Sequence, residues 1–182
     1  EKQTLSESIG SINERGYING MNKKGFNGAR SLGEGVANSI DAKATKIIFD
    51  ITQNSIRMID DGHGMDKEHL KNMWDAQREN HSGDISMGVS GFGAKAATKV
   101  LSQDTPVTVF TKEVGSDENG DPKPYLKAYV PWDSIVSKGT YTGMIQITEM
   151  SVEEKTMFHS YGIDQGTIID YSYNLQVLRT LL

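Results

Sequence analysis

Residues 29 to about 42 carry apolar side chains at the spacing of a helix. Three aliphatic residues form one stripe along this segment: Leu32, Val36 and Ile40. At about 100° of rotation per residue, the roughly opposite side carries three polar residues: Glu34, Asn38 and Asp41. The segment therefore predicts an amphipathic helix. Its polar side is either solvated or lines a site.

Two short apolar runs follow, "TKIIFDIT" and "SIRMID", on either side of "QN". This arrangement predicts a β-hairpin. "DGHGM" ends the second strand, and "DKEHLKNMWDA" predicts a helix with Leu70, Met73 and Trp74 on one side. "QRENHSGDISMGVSGFG" then lacks periodicity and is long for a connection, which is typical of a functional loop or a disordered one. "AKAATKVLS" predicts the next helix.

The second half of the chain predicts strands at "TPVTVFTKE", "YLKAYVPW", "GMIQITEM" and "GTIIDYSY", with a short helix at "VEEKTMFHSYG" before the last one. Strands in runs with helices grouped between them indicate an α+β fold, a two-layer sandwich of one sheet and one helical layer. Residues 1–27 are polar and rich in Gly and Asn, and they predict a flexible loop-like arm. We therefore expect an arm over 1–27 and a single domain over 28–182.

Composition narrows the class of protein. The chain has 36% hydrophobic and 24% charged residues, and no apolar run approaches the roughly 20 residues that span a bilayer. It contains no cysteine, so disulfides and thiolate chemistry are excluded. The net charge is −5 without a dense Lys/Arg run, so the domain has no obvious electrostatic footprint for nucleic acid. We expect an intracellular protein, cytoplasmic or nuclear, with no membrane partner.

The glycine-rich segment "GVSGFGAKA", residues 88–96, is a candidate anion-binding loop, because closely spaced glycines let the backbone approach a phosphate ahead of a helix start. It is not a P-loop, since Ala94 separates Gly93 from Lys95. It is not a Rossmann fingerprint either, since no apolar strand precedes it. A flexible surface loop is the alternative interpretation.

"MIDDGHGM" places Asp60 at a strand end, with Gly62 and Gly64 at alternate positions after it. A carboxylate there can accept a hydrogen bond from an exocyclic amine in an apolar pocket. A plain Asp-Gly turn is the alternative.

The polar face of the first helix is the third candidate. Asn38 offers an oxygen that suits Mg²⁺, which takes few protein ligands. Glu34 can accept a proton from a water aimed at phosphorus. Asp41 can orient a metal-bound water or the helix itself, and a solvated polar face is the alternative.

These segments occur in a fixed order: E-x-x-x-N in "EGVANSIDA", D-x-G-x-G in "DDGHGM", a glycine-rich loop, then Gly166-Thr167 opening a late strand. This order resembles the GHKL family, which includes type II topoisomerase ATPase domains, the ninety-kilodalton heat-shock chaperones, MutL, MORC proteins and histidine-kinase catalytic domains. The resemblance covers about residues 28 to 170. It implies the Bergerat fold, with a mixed, mainly antiparallel sheet, and the ligands ATP and Mg²⁺.

The resemblance also implies residue roles. Glu34 would be the general base and Asn38 the Mg²⁺ ligand, with Asp41 beside the nucleotide. Asp60 would bind the adenine amine, supported by Thr167. The close approach of the base would involve Gly62, Gly64 and Met65. Residues from about 76 to 93 would form an ATP lid, and the implied nucleotide contacts at its end are Gly88, Val89, Ser90, Gly91, Phe92, Gly93, Ala94 and Lys95.

The implied function is Mg-dependent ATP hydrolysis that drives homodimerisation and conformational change of a larger protein acting on DNA or on a protein client. Glu34 favours an ATPase over the alternative of histidine-kinase-type phosphotransfer, and a non-hydrolysing ATP sensor is a third possibility. The position of Lys95 resembles that in MORC proteins, and a topoisomerase-like branch is also considered. Topoisomerase and MutL relatives use a lysine from a downstream transducer domain. Here either such a domain is missing from the sequence or Lys95 acts alone, and residues 1–20 would strap a partner subunit.

Overall fold

The structure is a computed structural model that describes residues 13–23, 27–53, 55–74 and 92–172. Its helices are α1 (Glu14–Lys23), α2 (Gly28–Asp41), α3 (Lys67–Trp74), α4 (Phe92–Ser102), α5 (Trp132–Lys138) and α6 (Val152–Ser160). Its strands are β1 (Ile47–Ile51), β2 (Ser55–Asp60), β3 (Val107–Lys112), β4 (Tyr125–Val130), β5 (Gln146–Glu149) and β6 (Gly166–Ser172). Among these described elements, no helix has the length and apolarity needed to cross a bilayer.

The strands form one sheet in the order β1-β2-β6-β3-β4-β5, and every neighbouring pair in it is antiparallel. The predicted α+β two-layer sandwich is therefore confirmed, and its sheet, expected to be mixed and mainly antiparallel, is antiparallel throughout the described strands. The last strand, β6, lies between β2 and β3, so Thr167 pairs with Asp60 on one side and with Thr111 on the other. A residue from the end of the described chain is thereby placed beside one from its first third.

The two faces of the sheet are covered unequally. Because side chains alternate along a strand, one face of the sheet buries residues such as Met58, Val109 and Ile169 beneath helices α1 to α5. The other face buries a smaller cluster that includes Ile59 and Phe110, under α6. The larger cluster is the main core, and the helical layer over it holds the polar residues of α2.

α2 confirms the helix predicted at 29–42, and it begins at an N-cap, because the Asn27 side chain accepts a hydrogen bond from the Arg30 N–H at 2.8 Å. Its buried side is formed by small residues: Ser31, Gly35 and Ser39. Within the aliphatic stripe, Leu32 packs against the core but Ile40 is 50% exposed. The small side lets α2 lie close to the sheet, where a Cβ on Gly35 would be 2.7 Å from Met58 Sδ.

The prediction of loop throughout residues 1–27 is wrong for Glu14–Lys23, which form α1. Ile18 and Met21 of this helix are 1% and 0% exposed in the main core. These two buried apolar residues stand three positions apart in a segment that is otherwise polar and contains glycine. The hydrophobic periodicity of the segment is therefore too weak to predict a helix from the sequence. Residues 1–12 and 24–26 lie outside the described part of the chain.

The strand predicted through Trp132 is also wrong at its end. β4 stops at Val130, and Trp132–Lys138 form α5, a helix that the pattern did not predict. Pro131 has no N–H for a ladder and its fixed φ suits the start of a helix, so the strand ends there. The remaining predicted elements are confirmed within the described residues, with strand ends shorter by one to three residues at β1, β3 and β5.

Candidate functional site

A cavity of about 300 Å³ lies under α2, beside the end of β2 and the DGHGM loop. It is lined by Gly35, Asn38, Ser39, Asp41, Ala42, Met58, Asp60, His63, Gly64, Met65, Met73, Ala94, Thr167 and Ile169. The walls combine methionine and isoleucine side chains with a few polar groups. This is the usual composition of a small-molecule site, in which apolar contact gives affinity and polar groups fix orientation.

Asp60 is the buried acid of this cavity, with 5% of its surface exposed. The Gly62 N–H donates to Asp60 Oδ1 at 2.9 Å, and Ser39 Oγ donates to Oδ2 at 3.0 Å. Burial raises the pKa of Asp60, and the hydrogen bonds from Gly62, Ser39 and the Thr167 amide oppose that rise in pKa. A ligand that donates an N–H to this carboxylate would offset part of the cost of its burial.

The DGHGM loop is held between α2 and the end of β3. The His63 N–H donates to Ala42 O at 2.9 Å, and the Val114 N–H donates to His63 O at 2.8 Å. Gly64 has a φ of +67°, and a Cβ there would overlap the carbonyl of Lys112. This position therefore requires glycine for two reasons, a left-handed backbone and a close approach to β3.

Glu34 lies against the start of α4. A Cβ on Gly93 would be 2.6 Å from Glu34 Oε2, so the absence of a side chain there makes room for the carboxylate. The amino end of a helix carries exposed N–H groups and a partial positive charge, which favours an acid at that place. α2 and α4 thus meet at an acid–glycine contact.

Ten of the predicted site residues fall into three groups. Those brought together around the cavity are Asn38, Asp41, Asp60, Gly64, Met65, Ala94 and Thr167. Gly62 does not line the cavity but donates its N–H to Asp60, which does, and a Cβ on Gly62 would lie 2.8 Å from Ala42. Glu34 and Gly93 lie in contact with each other but do not line the cavity.

Two other predictions concern the glycine-rich segment. Lys95 is 1% exposed within α4 and is engaged by other groups, so its ammonium is not on the surface. α4 begins at Phe92, two residues earlier than predicted. Gly88, Val89, Ser90 and Gly91 lie outside the described residues, and so does the rest of the predicted lid between about 76 and 91.

Sequence reasoning missed part of the lining. Met58 and Ile169 stand two residues from Asp60 and Thr167 on their strands, so the alternation of a strand already places each pair on one face. That signal was available. Ser39 carried no such signal, because its bond to Asp60 joins residues 21 apart in the chain.

A model of the histidine kinase-, DNA gyrase B- and HSP90-like ATPases matches residues 26–123, more than half of the chain. The chain belongs to this ATPase family. The matched residues include α2, β2, the DGHGM loop and α4, the elements around the cavity. A search of curated proteins found no significant match. Membership in the family supports ATP as the ligand of this domain, and the choice between a MORC-like and a topoisomerase-like branch stays a prediction.

Proposed function

We propose that the domain binds ATP in the cavity under α2 and hydrolyses it with Mg²⁺. The observation that carries this proposal is the buried Asp60 carboxylate among apolar walls, beside Asn38 and Asp41 on the same cavity. An adenine base offers an amine to the acid and flat faces to the methionines. The family match supports the same ligand.

The residues on α2 fit a magnesium ion. Asn38 and Asp41 present oxygen ligands to the cavity, and Mg²⁺ prefers one or two such groups together with water and phosphate oxygens. Asn38 would hold the ion, with Asp41 orienting one of its waters. When bound, the ion would neutralise charge on the β- and γ-phosphates.

Glu34 is the candidate general base. It lies one helical turn before Asn38, so a nucleotide tail that reaches Asn38 also passes near the Glu34–Gly93 contact. Its carboxylate would align a water and take its proton as the water oxygen bonds to the γ-phosphorus, while the bond from that phosphorus to the β-phosphate oxygen breaks and ADP leaves. A positioned base contributes roughly 10²–10⁴-fold to a rate.

Glu34→Gln tests this role because it keeps the size of the side chain and removes the basic oxygen. We expect phosphate release to fall by about 10²–10⁴-fold while ATP affinity stays within about threefold. Glu149→Gln, at an exposed acid of β5, is the matched control and should hydrolyse ATP at the wild-type rate. Hydrolysis by the Glu34 variant at the wild-type rate contradicts the assignment.

The same assay separates the two alternatives. Transfer of labelled γ-phosphate to a protein histidine without free phosphate indicates a histidine-kinase-type domain. Binding of ATP by the wild-type protein without either product indicates a non-hydrolysing sensor.

Asp60→Asn tests the base-binding end of the cavity. The amide replaces one acceptor oxygen by an NH₂ group, so the adenine amine loses a charge-assisted partner. We expect ATP affinity to fall by about 10- to 100-fold in calorimetric titration. Asp61→Asn is the control, since the Asp61 carboxylate binds Thr45 and Lys46 instead. Equal losses in both variants would show that the effect does not come from adenine.

We further propose that ATP drives homodimerisation, and that a downstream transducer-like region and a DNA or protein client act through other parts of a longer protein. The support is the resemblance to ATP-operated clamps in the family. Size analysis with and without a non-hydrolysable ATP analogue tests it. A mass that does not change with the analogue contradicts dimerisation by this domain.

A further inference from the structure

Thr111 lies behind the cavity, on β3, and is 0% exposed. Its hydroxyl joins three segments that are distant in sequence. It donates to Gly166 O at 3.0 Å, it accepts from the Met65 N–H at 2.9 Å, and it lies 3.3 Å from the Thr167 hydroxyl. A single buried oxygen therefore connects the DGHGM loop to the start of β6.

A hydroxyl has one proton to donate and two lone pairs. The Thr111 proton goes to Gly166 O, the shorter of its two possible donations. One lone pair takes the Met65 N–H, and the other faces Thr167. The Thr167 hydroxyl must then donate its own proton to Thr111, which leaves only acceptor lone pairs on Thr167 for the cavity.

We propose that Thr111 is a positioning residue of the nucleotide site, which sets the Thr167 hydroxyl as an acceptor toward the base. This inference rests on the proposed function, because it concerns how the same cavity selects its ligand. Asp60 is held next to Thr167 by the pairing of β2 with β6. The cavity then presents two neighbouring acceptors, a carboxylate and a hydroxyl oxygen.

Two adjacent acceptors favour a base that carries donors at that edge. The 6-amino group of adenine supplies such donors, whereas a 6-oxo purine places an acceptor there. Without the Thr111 oxygen, the Thr167 hydroxyl is free to turn and donate to a 6-oxo group. Loss of the Thr111 hydroxyl should therefore weaken ATP binding and also relax the discrimination against inosine triphosphate.

Thr111→Val removes the hydroxyl and keeps the shape of the side chain. We expect its ATP affinity to fall about tenfold, and its preference for ATP over inosine triphosphate to fall by a similar factor. Thr111→Ser retains the oxygen and should keep both values within about twofold of wild type. Thr108→Val, on the same strand but the opposite face of the sheet, is the matched control and should change neither.

The ratio of the two affinities separates positioning from general damage to the fold, which would weaken both nucleotides equally. An unchanged ratio in Thr111→Val, or an equal loss in Thr111→Ser, overturns the inference. If Thr111→Val does not fold, Thr111→Ala takes its place in the same comparison of affinities. A wild-type protein that binds neither nucleotide overturns the proposed function and this inference with it, whereas wild-type binding with an unaltered Thr111→Val overturns the inference alone.

Discussion

At the residue scale, Met58 contributes both to the packing of α2 on the sheet and to the wall of the cavity. It is 2% exposed on β2, where it packs under Gly35 of α2, and it also lines the cavity. The glycine gives its sulfur room on the helix side. The size of the residue at position 35 therefore sets how far Met58 extends into the site.

Gly35→Ala should change affinity more than stability. The added Cβ would lie 2.7 Å from Met58 Sδ, the far end of a flexible side chain, so Met58 can swing away into the cavity. Alanine in a helix gains up to about 1 kcal/mol over glycine, which offsets part of the crowding. We expect ATP affinity to fall about tenfold with a free energy of unfolding within about 1 kcal/mol of wild type.

Gly33→Ala is the matched control on the same helix, because nothing lies within 4 Å of its Cβ position. It should gain helix stability and leave ATP affinity unchanged. If the two alanine variants bind ATP equally well, residue 35 does not control how far Met58 extends into the cavity. Calorimetry and urea unfolding of both proteins provide the comparison.

At the element scale, α1 is attached to the rest of the domain through its first residue. The Glu14 carboxylate accepts hydrogen bonds of 2.7 Å each from Thr140 Oγ1, the Tyr141 N–H and Thr142 Oγ1. The Tyr141 hydroxyl then donates to Trp74 O at 2.6 Å, at the end of α3. The Glu14 carboxylate thus joins α1 to the loop after α5, and Tyr141 of that loop makes the bond to α3.

These bonds, those from the hydroxyls of Thr142 and Thr140 first, lower the pKa of Glu14 from its ordinary value of 4.5 to about 2. A depressed carboxyl pKa adds stability that is complete above the ordinary pKa and is lost as pH falls through the folded-state pKa. We expect Glu14→Gln to be less stable than wild type at pH 7. The difference should shrink between about pH 4.5 and pH 2, as the wild-type carboxylate becomes protonated.

Urea unfolding of the two proteins across that pH range measures the difference. Glu118→Gln, at an exposed acid of the turn between β3 and β4, should follow the wild-type curve throughout. A gap between wild type and Glu14→Gln that is constant down to pH 2 would contradict the attachment through the carboxylate.

At the scale of the whole molecule, α1 belongs to the main core. Ile18 and Met21 are as deeply buried as the central strands. Truncation of a buried isoleucine to alanine costs about 2–5 kcal/mol, from lost burial and the remaining cavity. The domain should therefore lose stability when α1 is altered, although its sequence resembles a loop.

Ile18→Ala should lower the free energy of unfolding by about 2–5 kcal/mol. Ile40→Ala makes the same chemical change at a side chain that is 50% exposed, and should cost less than about 1 kcal/mol. Thermal or urea unfolding of the two variants measures the difference in their free energies of unfolding. Similar small losses in both variants would mean that α1 contributes little to the core in solution.

The elements with strong local patterns could be predicted. Apolar runs between turn residues identified the strands, the helical spacing of apolar residues identified α2, and the order of the acid, amide, aspartate and glycine motifs identified the family. α1 and α5 could not be predicted from the sequence. α1 buries two apolar side chains in a polar segment, and α5 is short and starts directly after a strand, so neither shows a clear helical periodicity. The side of α2 that faces the core could not be predicted either, because it consists of serine and glycine, which do not stand out in a hydrophobic pattern.

The sequence by itself determined the type of most elements, the fold class and the residue types available for chemistry, because backbone propensity and side-chain periodicity act over a few neighbours. Only the tertiary structure decided which of them meet. Ser39 bonds Asp60 across 21 positions, and Met65 bonds Thr111 across 46. Such contacts depend on the pairing of β6 between β2 and β3, and strand order is set by the burial of the whole core rather than by any local segment.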